Sequence, residues 1–270
     1  MTNEGLARQI RRDVVEMTHI AHASHVASAL SIADIVAVLY NGVMNISPQN
    51  ADDPNRDRFV LSKGHAGAAV YAALAEKGFI PREELRTYYG MNGTESRLSG
   101  HISHKGVPGV EISTGSLGQG VCVACGFALA GKKDGRDYRV FAVVGDGECD
   151  EGSVWEMALF AAHTKLNNYT VIVDRNNLQS LKSTEDTIAL GDLSAKWKAF
   201  GWDVVDIDGH NCGDLKSVLS GKRDKPLCVI AHTVKGKGVS FMENDIVWHY
   251  RDPQNEQYEQ AIAELGGDPL

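Results

Sequence analysis

The sequence predicts an α/β protein built on a doubly wound, mainly parallel sheet. Three observations carry that prediction. Residues 138–144, 169–173, 203–207 and 227–231 are short β-branched runs of strand length. A helical pattern over 153–166 separates the first two, so that strand, helix and strand follow each other at the spacing of a βαβ unit. Buried runs alternating with helices favour a parallel sheet covered on both faces, with ligands at the carboxyl ends of its strands.

The first half adds elements in order. Residues 3–20 place Leu6, Ile10, Val14 and Met17 on one helical face. Residues 22–28 read as a polar hinge. A second helix follows from Ser31 with Ile32, Ile35, Val36 and Leu39 as its stripe, and Asn41-Gly42 as its stop. Residues 47–57, with Pro48 and Pro54, are loop, and 58–62 form a short buried strand ending at Lys63-Gly64-His65. The alanine-rich run 66–77 is helical. Residues 87–109, rich in Gly, Ser and His without a period, are expected as an ordered loop, 121–130 as a buried helix and 255–265 as a last short helix. No repeat, low-complexity run or linker interrupts the chain, which is expected to be one domain over residues 1–270.

Composition narrows the function classes. Of 270 residues 43% are hydrophobic and 23% charged, which excludes a disordered chain, and a net charge of −8 argues against a broad basic surface for nucleic acid. No apolar run is long enough to span a membrane. The start of the chain lacks the regions of a signal peptide, and the five cysteines are odd in number, so a cytoplasmic location is expected. Cys122-Val-Ala-Cys125 has redox or zinc spacing but no second pair, and reads as helix packing. Glycine is the skewed number: 28 of 270 residues points to backbone that turns tightly or approaches something closely.

The strand ends give that excess an address. Val143-Val144-Gly145-Asp146-Gly147-Glu148 closes one strand just before a helix. Two glycines around an acid let backbone approach a phosphate, and a divalent cation between carboxylate and phosphate removes their repulsion. A plain turn would read the same way if the triplet stood alone. The next strand ends in Asp174-Arg175-Asn176-Asn177-Leu178, and adjacent parallel strands place such ends about 5 Å apart, so Asp146 and Asn176 can share one cation.

This combination resembles the thiamine diphosphate motif, and the rest of the chain from Ile10 to His249 resembles transketolases, in particular the separate N-terminal subunit of a split transketolase. Ser24-His25 looks like the family's Ser-Gly-His-Pro-Gly turn, with Ser24, Val26 and Ala27 departing from it. Leu61-Ser-Lys-Gly64-His65 looks like its Gly-His turn, and Ser99-Gly100-His101 like its third histidine site. Thr114-Gly115-Ser-Leu117-Gly118-Gln119-Gly120 is close to its Thr-Gly-Pro-Leu-Gly-Gln-Gly segment, and Lys235-Gly-Lys-Gly238 to the loop after its late strand. Full-length relatives often carry a His-x-x-His pair after that loop; here only His249 is present.

The resemblance implies a thiamine diphosphate-binding fold and a set of roles. Asp146, the Asn176 side chain and the Leu178 carbonyl would bind Mg²⁺, and Gly145 and Gly147 would border the diphosphate. His65, His101, Gly115, Leu117 and His249 would also contact the cofactor, and His25, His65 and His101 would be the catalytic histidines. Glu151 and Glu156 are either helix N-terminal charges or members of a subunit contact. In the family the glutamate that activates the pyrimidine ring, and most residues gripping the substrate's phosphate or sulfonate end, belong to a pyrimidine-binding domain. No second α/β unit follows Tyr250 here, so that domain is expected on a partner chain, in a heterotetramer of two of each. The implied reaction is transfer of a two-carbon ketol unit from a ketose, such as a sugar phosphate, to an aldose. Half of another thiamine enzyme, a 2-oxoacid dehydrogenase or a deoxyxylulose phosphate synthase-like protein, is a further reading that the three matched histidines oppose. A non-catalytic interaction subunit is the other.

Overall fold

The computed structural model describes residues 1–93 and 95–267. Thr94, within the segment expected as a loop, and residues 268–270, within the expected single domain, lie outside the described residues.

Five strands, β1 (Arg58–Leu61), β2 (Val140–Gly145), β3 (Tyr169–Arg175), β4 (Asp203–Asp208) and β5 (Leu227–His232), form one parallel sheet in the order β1-β2-β3-β5-β4. A parallel sheet must be covered on both faces, and alternate side chains supply the two cores. Phe59, Leu61, Phe141, Val143, Ile172 and Val229 enter one; Val60, Ala142, Val144, Val171, Val173 and Ile230 enter the other. The first face carries α1 (Asn3–Ala21), α2 (Val26–Ser31), α3 (Ala33–Val38) and α4 (Gly67–Glu76). The second carries α5 (Gly120–Lys133), α6 (Gly152–His163) and, after the single turn α7 (Thr184–Thr187), α8 (Leu193–Ala199). Finally α9 (Cys212–Ser220) and α10 (Glu256–Glu264) return to the first face.

Strand order explains that distribution. From β1 to β4 the chain moves one way across the sheet, then steps back to insert β5 between β3 and β4. Right-handed crossovers place α6 and α8 on one face for the forward steps and α9 on the other for the return. The doubly wound parallel architecture is therefore as the sequence predicts.

Local boundaries differ for physical reasons. The hinge is shorter than 22–28, because α2 already begins at Val26, and Ile32 (φ −97°, ψ 3°) separates α2 from α3, so the second helix expected from Ser31 starts at Ala33. That helix ends in a widened turn, Leu39–Val43, where Gly42 takes φ +133°. Part of the expected loop 87–109 is helical: a 3₁₀ run covers Arg82–Gly93. The helix expected to be buried at 121–130 buries Val121, Ala124, Cys125 and Ala128 but leaves Val123 42% exposed. Short helices α8 and α9 have no counterpart in the sequence reading; each starts on a side-chain cap, Asp192 accepting from the Ala195 N–H and Asn211 from Gly213 and Asp214.

Candidate active site

Four strand ends converge. Lys63, just after β1, is buried and donates to Asp174 Oδ2 at 2.5 Å and to the Ser28 carbonyl at 3.2 Å. Asp174, fully enclosed near the end of β3, also accepts from Ser31, Asn176 and Thr233. Burial opposes its charge, yet Lys63 and these donors hold its carboxyl below the usual range.

Gly64 must be glycine, since a Cβ there would lie 2.4 Å from the Thr114 carbonyl oxygen. The close approach lays the 114–120 segment over the end of β1. Thr114 Oγ1 donates to the Leu61 carbonyl at 2.6 Å, and the buried Glu148 carboxylate accepts from the Gly118 N–H at 2.8 Å, the Gly145 N–H at 3.2 Å and Ser62 Oγ. One carboxylate thus ties the Gly-Asp-Gly turn to that segment.

Asp146 accepts from the Gly147 N–H at 2.8 Å on one oxygen and from the Asn177 N–H at 2.6 Å on the other. Burial, then the neighbouring Asp174, raises its pKa to about 6, and the Arg175 guanidinium stands 3.6 Å away. Asn176 gives its amide nitrogen to Asp174 at 2.8 Å, which fixes its oxygen as an acceptor. Lys235, after β5, is buried and donates to the carbonyls of Leu178 at 3.1 Å and Gln179 at 2.9 Å, and to His249 Nδ1 at 3.1 Å.

The histidines come from distant parts of the chain and meet. His25 lies 5.3, 5.5 and 5.0 Å, ring centre to ring centre, from His65, His101 and His249. It takes φ +75°, a conformation rare outside glycine, and donates its N–H to the His249 carbonyl at 2.8 Å. Burial, with nearby His101 and the lysines Lys235 and Lys63, lowers His25 to about 4; burial and Lys235 lower His249 to about 3; burial and Lys63 push His65 well down. These three rings are neutral at pH 7.

All eleven residues expected at the site, His25, His65, His101, Gly115, Leu117, Gly145, Asp146, Gly147, Asn176, Leu178 and His249, line one cavity of about 240 Å³. The family model described as "Transketolase, thiamine diphosphate binding domain" matches residues 2–270. The chain belongs to the transketolase family.

Among curated transketolase relatives, an apulose-4-phosphate transketolase subunit of Phocaeicola vulgatus is 41% identical over 94% of this chain and 90% of its own length. The 6-deoxy-6-sulfo-D-fructose transketolase subunit SqwG of Clostridium sp. is 40% identical over 96% and 94%. The crystal structure of transketolase from Campylobacter jejuni superposes with a TM-score of 0.92 at 31% identity, covering 99% of this chain but 43% of that one. This chain thus spans less than half the length of that solved transketolase.

The residues present fit the family's cofactor. Asp146, Asn176 and Leu178, which line the cavity together, carry a carboxylate, an amide oxygen and a backbone carbonyl, hard oxygen donors of the kind Mg²⁺ takes. Asp146, raised by burial, is a carboxylate that a cation would return to its charged form. Space is also present: a Cβ on Gly145 would meet no atom within 4 Å. Among the described residues no group of three His, Cys, Asp or Glu side chains is placed to hold a metal.

The cavity also contains residues that carried no role in the sequence reading: Ser28, Lys63, Glu148, Gln179, Ser180 and Lys235. Lys63 directly precedes the Gly64-His65 turn and Lys235 opens the late Lys-Gly-Lys-Gly loop, so position beside a motif was the available signal. Glu151 and Glu156 lie exposed at the start of α6, and all five cysteines are free.

Proposed function

We propose that this chain is the diphosphate- and Mg²⁺-binding subunit of a two-chain transketolase, transferring a two-carbon ketol unit from a ketose to an aldose. One observation carries the reading: the three matched histidines and Asp146, Asn176 and Leu178 line the same cavity. Relatives named as transketolase subunits are matched over 90 to 95% of their length, whereas human transketolase is matched over 41% of its own. That contrast supports a partner subunit carrying the pyrimidine-binding domain, and a heterotetramer of two of each chain. The free thiols of all five cysteines accord with a cytoplasmic home.

Thiamine diphosphate, when bound, supplies a thiazolium carbon nucleophile and an electron sink for carbon–carbon cleavage. The chain's own residues do the rest. Asp146, Asn176 Oδ1 and the Leu178 carbonyl would hold Mg²⁺, with the Gly147 N–H beside the diphosphate. Lys235 and Lys63 also line the cavity; Lys63 is paired with Asp174, and the Lys235 ammonium would be the positive charge available to the diphosphate. Neutral His25 and His65 can each accept a hydrogen bond from a sugar hydroxyl, and as uncharged rings they add no positive charge beside the metal. His101 lies within ring contact of His25, so the two can address neighbouring substrate oxygens.

Calorimetric titration of thiamine diphosphate into the chain and its partner subunit tests the site. Binding that requires Mg²⁺ is expected; binding indifferent to Mg²⁺, or none, contradicts the reading.

A further inference from the structure

His210 lies in the turn between β4 and α9, outside the cavity. Its ring joins two separate parts of the chain. The Val234 backbone N–H donates to Nε2 at 2.9 Å, and Nδ1 lies 2.7 Å from Asp34 Oδ2. A backbone N–H can only donate, so Nε2 carries no proton, and the ring's proton sits on Nδ1 and is given to Asp34. Asp34, on α3, is the partner that fixes this tautomer. Burial opposes its charge, but the His210 hydrogen bond and the Arg11 guanidinium of α1 hold its carboxyl below the usual range. Cys212 Sγ, 4.0 Å from Asp34, completes the surroundings.

Val234 immediately precedes Lys235, whose ammonium reaches the Leu178 carbonyl and His249 inside the cavity. The loop is pinned on its other side by Thr233, which donates to Asp174, and by the Gly236 N–H, which donates to the Ala27 carbonyl at 3.0 Å. Val234 is the position between these anchors, and its N–H has the His210 ring as acceptor. We propose that His210 is a positioning residue that, in the tautomer set by Asp34, holds the Val234–Lys235 backbone so that Lys235 meets the cofactor's anionic end. The inference rests on the cavity's taking thiamine diphosphate.

The tautomer is read directly by ¹⁵N NMR of the chain, without cofactor: a neutral ring protonated at Nδ1 is expected, and protonation at Nε2 overturns the inference. Function is read in the chain with Mg²⁺ and the partner subunit. His210→Ala should raise the Kd and the apparent KM for thiamine diphosphate roughly tenfold while kcat at saturating cofactor stays near the wild-type value. His210→Gln, which keeps a donor and an acceptor, should remain within about threefold. Intact wild-type binding with unchanged binding in His210→Ala overturns this inference alone, whereas failure of the wild type to bind overturns the reading of the cavity.

Discussion

Lys63 and Asp174 form a buried ion pair, 2.5 Å apart, at the point where β1 and β3 deliver the chain into the cofactor cavity. Neither side chain has water to fall back on, so breaking the pair costs more than the intact pair contributes: removing one partner strands the other charge. Lys63→Met is expected to destabilise the chain by about 3–5 kcal/mol, read by chemical denaturation. An unchanged unfolding midpoint would show that the pair does not hold the site together.

Asp146 is the carboxylate on which the cation reading turns. Asp146→Asn keeps the size of the side chain and can still accept one of its two backbone hydrogen bonds, so folding should survive. Mg²⁺-dependent binding of thiamine diphosphate should fall at least a hundredfold, by analogy with the loss of a charged metal ligand. Equal Mg²⁺ dependence in the variant and the wild type would move the metal elsewhere.

Gly64 tests the close approach of the 114–120 segment. A methyl group there meets backbone, not a flexible side-chain end, so Gly64→Ala is expected to cost about 1–3 kcal/mol and to weaken cofactor binding by displacing Gly115 and Leu117. Thermal unfolding and calorimetry report the two effects separately, and wild-type values in both would remove the constraint.

A pH dependence arises far from the cavity. Asp13, on α1, is buried, and burial raises its pKa to about 6 although Arg82 and Gln9 donate to Oδ1. Its other oxygen has no partner among the described residues. The folded chain therefore holds this proton more tightly than the unfolded one. The contribution is fully present below pH 4 and is lost as pH rises through 6, amounting to about 3 kcal/mol for a shift of roughly two units. Asp13→Asn should flatten that part of the stability profile between pH 4 and 7. Parallel profiles for variant and wild type would contradict it.

Much of this was legible in the sequence, and the gaps have physical causes. Strand runs that must be buried on both faces announce themselves, and the Gly145-Asp146-Gly147 turn is local, so its place in the lining of the cavity could be read without coordinates. The roles of Lys63 and Lys235 could not: each stands beside a motif, but only the enclosed Asp174 and the Leu178 carbonyl show why it is buried. The meeting of His25 with His249, more than two hundred positions apart, depends on a left-handed backbone at His25 that no pattern of residue types signals. Helices α8 and α9 escaped because seven and nine residues are too few for periodicity to speak, although their caps, Asp192 and Asn211, stood in the sequence.

The central claim is that this chain is half of a transketolase. Transfer of a two-carbon unit from a ketose phosphate to an aldose acceptor, assayed with thiamine diphosphate and Mg²⁺ for either chain by itself and for both mixed, tests it most directly. Activity confined to the mixture is the predicted result; full activity from this chain alone would contradict it.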